Sequence, residues 1–133
     1  MDYFNRFFGF GKSNTVLLRN NGGFTHSGPW RQLGTSNNFD RWYTGEVMAA
    51  EYTIIIDESE FNKEIIKCLV IASTERANVQ IIGRSFINKS VADVEVNVTK
   101  SYVDMFLNPT VTRLKNAKFI YTVNYFSTLT PTT

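Results

Sequence analysis

The six residues Asp93-Val94-Glu95-Val96-Asn97-Val98 alternate strictly between polar and apolar. Successive side chains of an extended chain point to opposite faces, so this stretch reads as a strand with three valines inward and three polar groups in water. A lone half-exposed strand is not stable; the valines require a sheet and a second layer to cover them. The sequence from Trp42 onward supplies both. Residues 43–56 end in Thr53-Ile54-Ile55-Ile56, and residues 77–86, 102–107 and 117–126 are again rich in Val, Ile, Thr, Tyr and Phe. Residues 64–72 place Ile66, Cys68, Val70 and Ala72 on one face and Ile65, Leu69 and Ile71 on the other, the two-sided pattern of a central strand. Polar clusters separate these runs, among them Asp57-Glu58-Ser59-Glu60, Ser73-Thr74-Glu75-Arg76 and Asn108-Pro109-Thr110. The expected fold is all-β, an antiparallel β-sandwich, jelly-roll-like or immunoglobulin-like. One short helical turn is expected over 58–63, where acidic and basic residues fall at helical spacing; the β-branched run that follows argues against a longer helix.

Residues 1–41 differ in texture. They hold most of the glycines, with Asn20-Asn21-Gly22-Gly23, Ser27-Gly28-Pro29 and Thr35-Ser36-Asn37-Asn38 as turn-forming clusters. Their one strand-like piece is 15–19, and their aromatics stand among polar residues. The sequence therefore predicts an extended, irregular N-terminal arm over 1–41 with aromatic anchors, a sandwich domain over 42–127 and a flexible tail over 128–133. The arm's opening residues lack the positive region, apolar run and small-residue site of a secretory signal and read as part of the mature chain.

No catalytic constellation emerges. The single histidine, His26, leaves no imidazole pair for a metal, and the single cysteine, Cys68, excludes an intramolecular disulfide and a cysteine-rich zinc site. His26 and Ser27 are neighbours in sequence, a poor geometry for base and nucleophile. Cys68, flanked by Ile66 and Val70, reads as a small buried apolar side chain. Gly9-Phe10-Gly11-Lys12-Ser13 ends like a phosphate loop but has Arg6 where the motif needs its first glycine, and no strand precedes it. Asp57, Glu58, Glu60 and Glu64 lack the alternating ligands and central glycine of a calcium loop, and Asp93, Glu95 and Asp104 read as a solvated sheet face rather than a glycosidase pair. Asn88-Lys89-Ser90 and Asn97-Val98-Thr99 match the glycosylation pattern by chance. The expectation is a protein that is not an enzyme, with no metal and no cofactor.

Of the 133 residues 43% are hydrophobic and 20% charged, enough apolar matter for one core and too little charge for disorder. A net charge of +2 falls short of a nucleic-acid binder, and no apolar run approaches the length of a membrane span. Two clusters, Pro29-Trp30-Arg31 and Phe39-Asp40-Arg41-Trp42-Tyr43, join arginine to aromatics, the residue types enriched where proteins bind one another. The expected interface residues are Phe4, Phe7, Phe8 and Phe10 with Trp30, Arg31, Arg41, Trp42 and Tyr43.

The segments Trp42-Tyr43-Thr44-Gly45, Lys67-Cys68-Leu69-Val70, Ile82-Gly83-Arg84-Ser85 and Phe119-Ile120-Tyr121-Thr122-Val123-Asn124-Tyr125-Phe126 resemble the small β-rich virion structural proteins of tailed, myovirus-type phages of marine bacteria. The resemblance is one of style, spans about the last two thirds of the chain and carries no functional residue. It implies a building block of the virion, whether head decoration, neck, tail or baseplate accessory, assembled in the host cytoplasm and bound to other virion proteins and to copies of itself through its sandwich edges and arm. Two further readings stand beside it. One is a carbohydrate-binding jelly roll using Trp30, Trp42 and Tyr43 as sugar platforms, a weak glycan contact; the other is a membrane-surface protein anchored by Phe4, Phe7, Phe8 and Phe10.

Overall fold

The computed structural model describes residues 23–34, 37–110 and 116–128. Among them run nine strands and no helix: β1 (Gly23–Ser27), β2 (Arg31–Gln32), β3 (Asn37–Tyr43), β4 (Val47–Ser59), β5 (Asn62–Ala72), β6 (Ala77–Ile87), β7 (Ala92–Thr99), β8 (Tyr102–Pro109) and β9 (Lys118–Ser127). All pairings are antiparallel. The larger sheet, A, has the order β1-β9-β4-β5-β6, with β2 also on β9; the smaller, B, has the order β3-β8-β7. The expected antiparallel β-sandwich is thus the fold, divided six strands against three.

The core lies between the sheets. Sheet A contributes Tyr52, Ile54 and Ile56 from β4, Ile66, Cys68 and Val70 from β5, and Phe119, Tyr121, Val123 and Tyr125 from β9. Sheet B answers with Phe39, Trp42, Val94, Val103, Met105 and Leu107. Phe39 sits at the centre of an aromatic cluster, edge-on to Tyr52 at 5.6 Å and to Tyr121 at 5.0 Å between ring centroids. The valine register of β7 follows the sequence pattern: Val94 is buried, Val96 and Val98 pack against the core, and Asp93, Glu95 and Asn97 face water.

The sandwich begins earlier than the sequence predicts. In place of an irregular arm to residue 41, β1 and β2 pair with β9, β3 forms an edge of sheet B, and Leu33, Phe39 and Asp40 are buried. The reason is that an edge strand binds mainly through its backbone. Gly23, Thr25 and Ser27 need no apolar alternation to pair with Phe126, Asn124 and Thr122. Pro29, which has no N–H to give the ladder, falls in the gap between β1 and β2. Phe4, Phe7, Phe8, Phe10, the strand over 15–19, the phosphate-loop mimic and residues 129–133 of the tail expected over 128–133 lie outside the described residues, while Thr128 is held by the Glu46 carbonyl at 2.9 Å and the Thr44 carbonyl at 2.6 Å.

The helical turn expected over 58–63 is a tight β-turn instead. The Ser59 hydroxyl accepts the Phe61 N–H at 3.1 Å, and β5 starts at Asn62. The β7–β8 hairpin closes on Lys100 and Ser101, with φ of 52° and 70°, the left-handed pair of a two-residue I′ turn.

Two buried polar networks tie the layers together. Asp40, on sheet B, reaches across the core, where its Oδ2 accepts from the Tyr52 and Tyr125 hydroxyls at 2.6 Å each; Trp42 Nε1 donates to the Tyr52 oxygen at 3.0 Å. At the β6–β7 crossover the fully buried Glu64 accepts from Arg84, from the Ser90 hydroxyl at 2.9 Å and from the Val91 N–H at 2.7 Å. Arg84 continues to the Ala92 carbonyl at 2.8 Å and to Asp93 at 2.9 Å, so one guanidinium joins β5, β6 and β7.

Candidate binding surfaces

The residues singled out by chemistry do not converge. His26 and Ser27 are consecutive in β1 and point to opposite faces: His26 lies against Tyr121, whereas Ser27 meets Thr122 at 3.1 Å. Cys68 is buried, and that burial pushes its thiol up to about 12, far from a reactive thiolate. Asp57 pairs with Lys63 at 2.9 Å, Glu58 accepts from Asn62 at 2.9 Å, and Glu64 is committed to Arg84. Asp93 and Asp104 are held by different arginines, Arg84 and Arg41. Among the described residues no group of His, Cys, Asp and Glu is arranged to hold a metal ion, and no helix is long and apolar enough to cross a membrane.

The expected interface residues separate into core and surface. Trp42 is fully buried and hydrogen-bonded to Tyr52, so it is a core residue and not a surface anchor. A β-bulge between Asn38 and Asp40 sets this outcome: the extra residue lets both Phe39 and Asp40 turn inward and fixes the phase that carries Trp42 into the core. Arg31 is half-buried, its guanidinium donating to the Phe39 carbonyl at 3.0 Å and lying over the Phe119 ring. Arg41 and Tyr43 do share a surface, the outer face of sheet B. There Arg41 stacks on Tyr102 at 4.5 Å and pairs with Asp104 at 3.4 Å, and Tyr43 packs on Tyr102 at 5.3 Å. Trp30 is 50% exposed.

The more conspicuous surface is one the sequence reading assigned to a central strand. The outer face of sheet A has no covering layer among the described residues, and its apolar side chains fall at two ends of the sheet. At the end where β5 turns into β6, Ile71 (56% exposed) and Phe126 (50% exposed) stand on either side of Ala49 in adjacent strands. Beside them Met48, Ile71, Ala72, Ser73, Arg76, Ala77 and Asn78 surround an open hollow of about 440 Å³. At the opposite end, Ile120, Ile55 and Ile65 form a row across β9, β4 and β5. Next to that row a second hollow of about 490 Å³ is lined by Trp30, Asp57, Glu58, Asn116 and Lys118. The two ends are separated by the polar row Thr122, Thr53 and Lys67. The signal for this surface was present in the sequence as the second apolar face of 64–72; what the sequence could not show is that nothing in the described chain covers it.

No family model matches the sequence, and no curated protein matches it. Among the solved structures to which the chain is similar are three phage tailspikes, all at low identity. The tailspike protein of Acinetobacter baumannii phage AM24 is 9% identical with a TM-score of 0.50, over 82% of this chain and 27% of that one. The tailspike protein of Acinetobacter phage vB_ApiP_P1 is 11% identical with a TM-score of 0.44, over 80% and 21%. Tailspike protein gp49 of Acinetobacter baumannii bacteriophage Fri1, a capsular polysaccharide depolymerase, is 17% identical with a TM-score of 0.40, over 81% and 18%. This chain therefore spans about a quarter of the length of the AM24 tailspike, and what it has in common with it is the sandwich fold.

Proposed function

We propose that this chain is a structural protein of a phage tail, non-enzymatic, which takes its place in the virion by binding neighbouring subunits. The observation that carries the reading is the end of sheet A left bare among the described residues, where Met48 and Ile71 stand exposed at a hollow and Phe126 stands exposed across Ala49 from Ile71. Exposed apolar groups clustered around a concavity mark sites of protein contact. Among the described residues the sheet also ends at β6, an eleven-residue edge strand without proline whose one charged side chain, Arg84, is occupied by Glu64 and Asp93. Such an edge is open to another strand. The fold likeness to a portion of a phage tailspike agrees with a tail location, and the resemblance of the sequence to virion proteins of marine, myovirus-type phages agrees with a virion one.

The test is incorporation. Mass spectrometry of purified particles of the phage encoding this chain should find it in the tail fraction. Ile71→Lys should leave the isolated protein folded and remove it from the particle. Particles that lack the wild-type chain, or that take up Ile71→Lys at wild-type levels, would overturn the reading.

A further inference from the structure

At the end of sheet A opposite the Met48 hollow, the second hollow combines one exposed indole with four polar side chains of different kinds. Trp30 is held in place from both sides. Gly28 N–H donates to the Tyr121 carbonyl at 3.2 Å before it, and after it Arg31 and Leu33 are tied to Phe39 at 3.0 Å and Ala117 at 2.8 Å. Its backbone is therefore fixed by the core while half of the side chain remains in water, which leaves indole surface open to a ligand. Around the ring, Asp57 and Glu58 offer acceptors, Lys118 a donor and Asn116 both. The two carboxylates are already oriented, Asp57 by Lys63 and Glu58 by Asn62, and each retains unfilled acceptor positions.

We propose that this hollow is a saccharide-binding site, in which the Trp30 ring is the platform for one neutral hexose or N-acetylhexosamine unit and Asp57, Glu58, Asn116 and Lys118 hydrogen-bond its hydroxyls. A sugar ring has an apolar C–H face and an equator of hydroxyls. It asks for a flat aromatic surface with donors and acceptors at its rim, and the hollow supplies both within a volume suited to a small ligand. Lys118 at the rim and Lys63, paired with Asp57 at 2.9 Å, balance the two carboxylates, so the hollow offers no excess positive charge to hold a uronate or a phosphate and suits an uncharged ring. The site does not depend on the assembly reading, since it lies at the other end of the sheet and uses none of the residues around Met48.

The chain carries its own probe. It has two tryptophans, and Trp42 is sealed in the core, so a change in emission on adding an uncharged solute reports Trp30. The 133-residue chain is titrated with maltohexaose, cellohexaose, N-acetylchitohexaose and, as a charged control, hexagalacturonate, recording emission and acrylamide quenching. At least one neutral oligosaccharide should give a saturable emission change and protect Trp30 from quenching, with the uronate binding more weakly. Trp30→Ala should abolish binding measured by calorimetry, and Glu58→Gln should weaken it several-fold while leaving the far-ultraviolet circular dichroism unchanged. The absence of a saturable response to every neutral oligosaccharide, tightest binding by the uronate, or unchanged calorimetric binding in Trp30→Ala would overturn the proposal. So would an emission shift that follows protein concentration alone, which would give the hollow to a second copy of the chain. None of these outcomes bears on tail incorporation.

Discussion

Replacing Tyr52 by phenylalanine deletes one oxygen from the middle of the core and tests how the two sheets are tied. The Tyr52 hydroxyl donates to Asp40 Oδ2 at 2.6 Å and accepts from Trp42 Nε1 at 3.0 Å. Phenylalanine keeps the ring and its contacts with Phe39, so the loss is confined to polar terms. A hydrogen bond to a carboxylate contributes about 1.5–3 kcal/mol, and a buried indole N–H left without an acceptor costs about 1–3 kcal/mol. Tyr52→Phe should therefore destabilise by about 3–5 kcal/mol, a large part of the roughly 5–15 kcal/mol typical of a domain. Tyr125→Phe supplies the internal comparison. It removes one bond to the same Asp40 oxygen and disturbs no indole, so its cost should be nearer about 1.5–3 kcal/mol. The measurement is guanidinium unfolding followed by near-ultraviolet circular dichroism for both single variants and the double one, with coupling expected because the phenols share an acceptor. A pH signature accompanies it. Burial first, then the neighbouring Asp40, raise the Tyr52 phenol well above its ordinary value of 10.0. Its contribution is thus complete below that value and is lost as pH rises above it, where the unfolded chain ionises and the folded chain does not. Tyr52→Phe should remove this part of the alkaline destabilisation. Equal costs for the two single variants, or a cost for Tyr52→Phe below about 0.5 kcal/mol, would refute the clamp.

Glu64→Ala should destabilise by about 3–5 kcal/mol by leaving the Arg84 charge short of its buried partner, whereas Asp93→Asn at the exposed end of the same network should cost under about 1 kcal/mol; chemical unfolding of the two variants checks the order. Val94→Asp should prevent folding by burying a carboxylate without a partner, while Glu95→Lys, one position along and facing water, should stay within about 0.5 kcal/mol of the wild type by thermal unfolding. Cys68, its thiol pushed up to about 12 by burial, should resist a thiol reagent in the native protein at mildly alkaline pH and react as soon as the chain is unfolded; rapid native labelling would place it outside the core.

Strands whose side chains obey the two-residue period were legible in the sequence. The alternation over 93–98 gives the β7 register, and the inner face of 64–72 gives the core contribution of β5. Where pairing is carried by backbone groups the letters are silent, and so Gly23-Phe24-Thr25-His26-Ser27 reads as irregular although it forms the β1 ladder on β9. The bulge at Asn38 and Asp40 breaks the period itself, which is why Trp42, in a stretch that reads as a surface cluster, is in the core. The hairpin on Lys100 and Ser101 escaped for a related reason: both residues adopt a left-handed backbone usually filled by asparagine and glycine. The Trp30 hollow draws residues from the β1–β2 gap, the end of β4 and the start of β9, and no local pattern ties segments so far apart. Trp30 and the acidic residues Asp57 and Glu58 each stand out in the sequence, but only the fold brings them together.

The bare face of sheet A admits two accounts, and cross-strand neighbours separate them. Large β-branched residues on a solvated face can serve the sheet itself, because directly opposed apolar pairs contribute about 0.2–1 kcal/mol each. Ile55 fits that account, lying between Ile65 on one side and Ile120 on the other. Ile71 does not. Its cross-strand neighbours are Ala49 and Asn78, which offer little to pack against, and it is the more exposed of the two isoleucines. If the face existed only to hold its own strands together, an isoleucine would gain least where Ile71 stands. A threonine, equally suited to a strand, would serve there at no loss. Ile55→Thr should therefore cost about 1 kcal/mol in unfolding experiments through two weakened pairs and Ile71→Thr close to nothing, while incorporation into particles should show the reverse order. Equal stability losses for the two substitutions, with assembly untouched by both, would mean that the exposed isoleucines serve the sheet alone and that the contact with a neighbouring subunit lies on another surface.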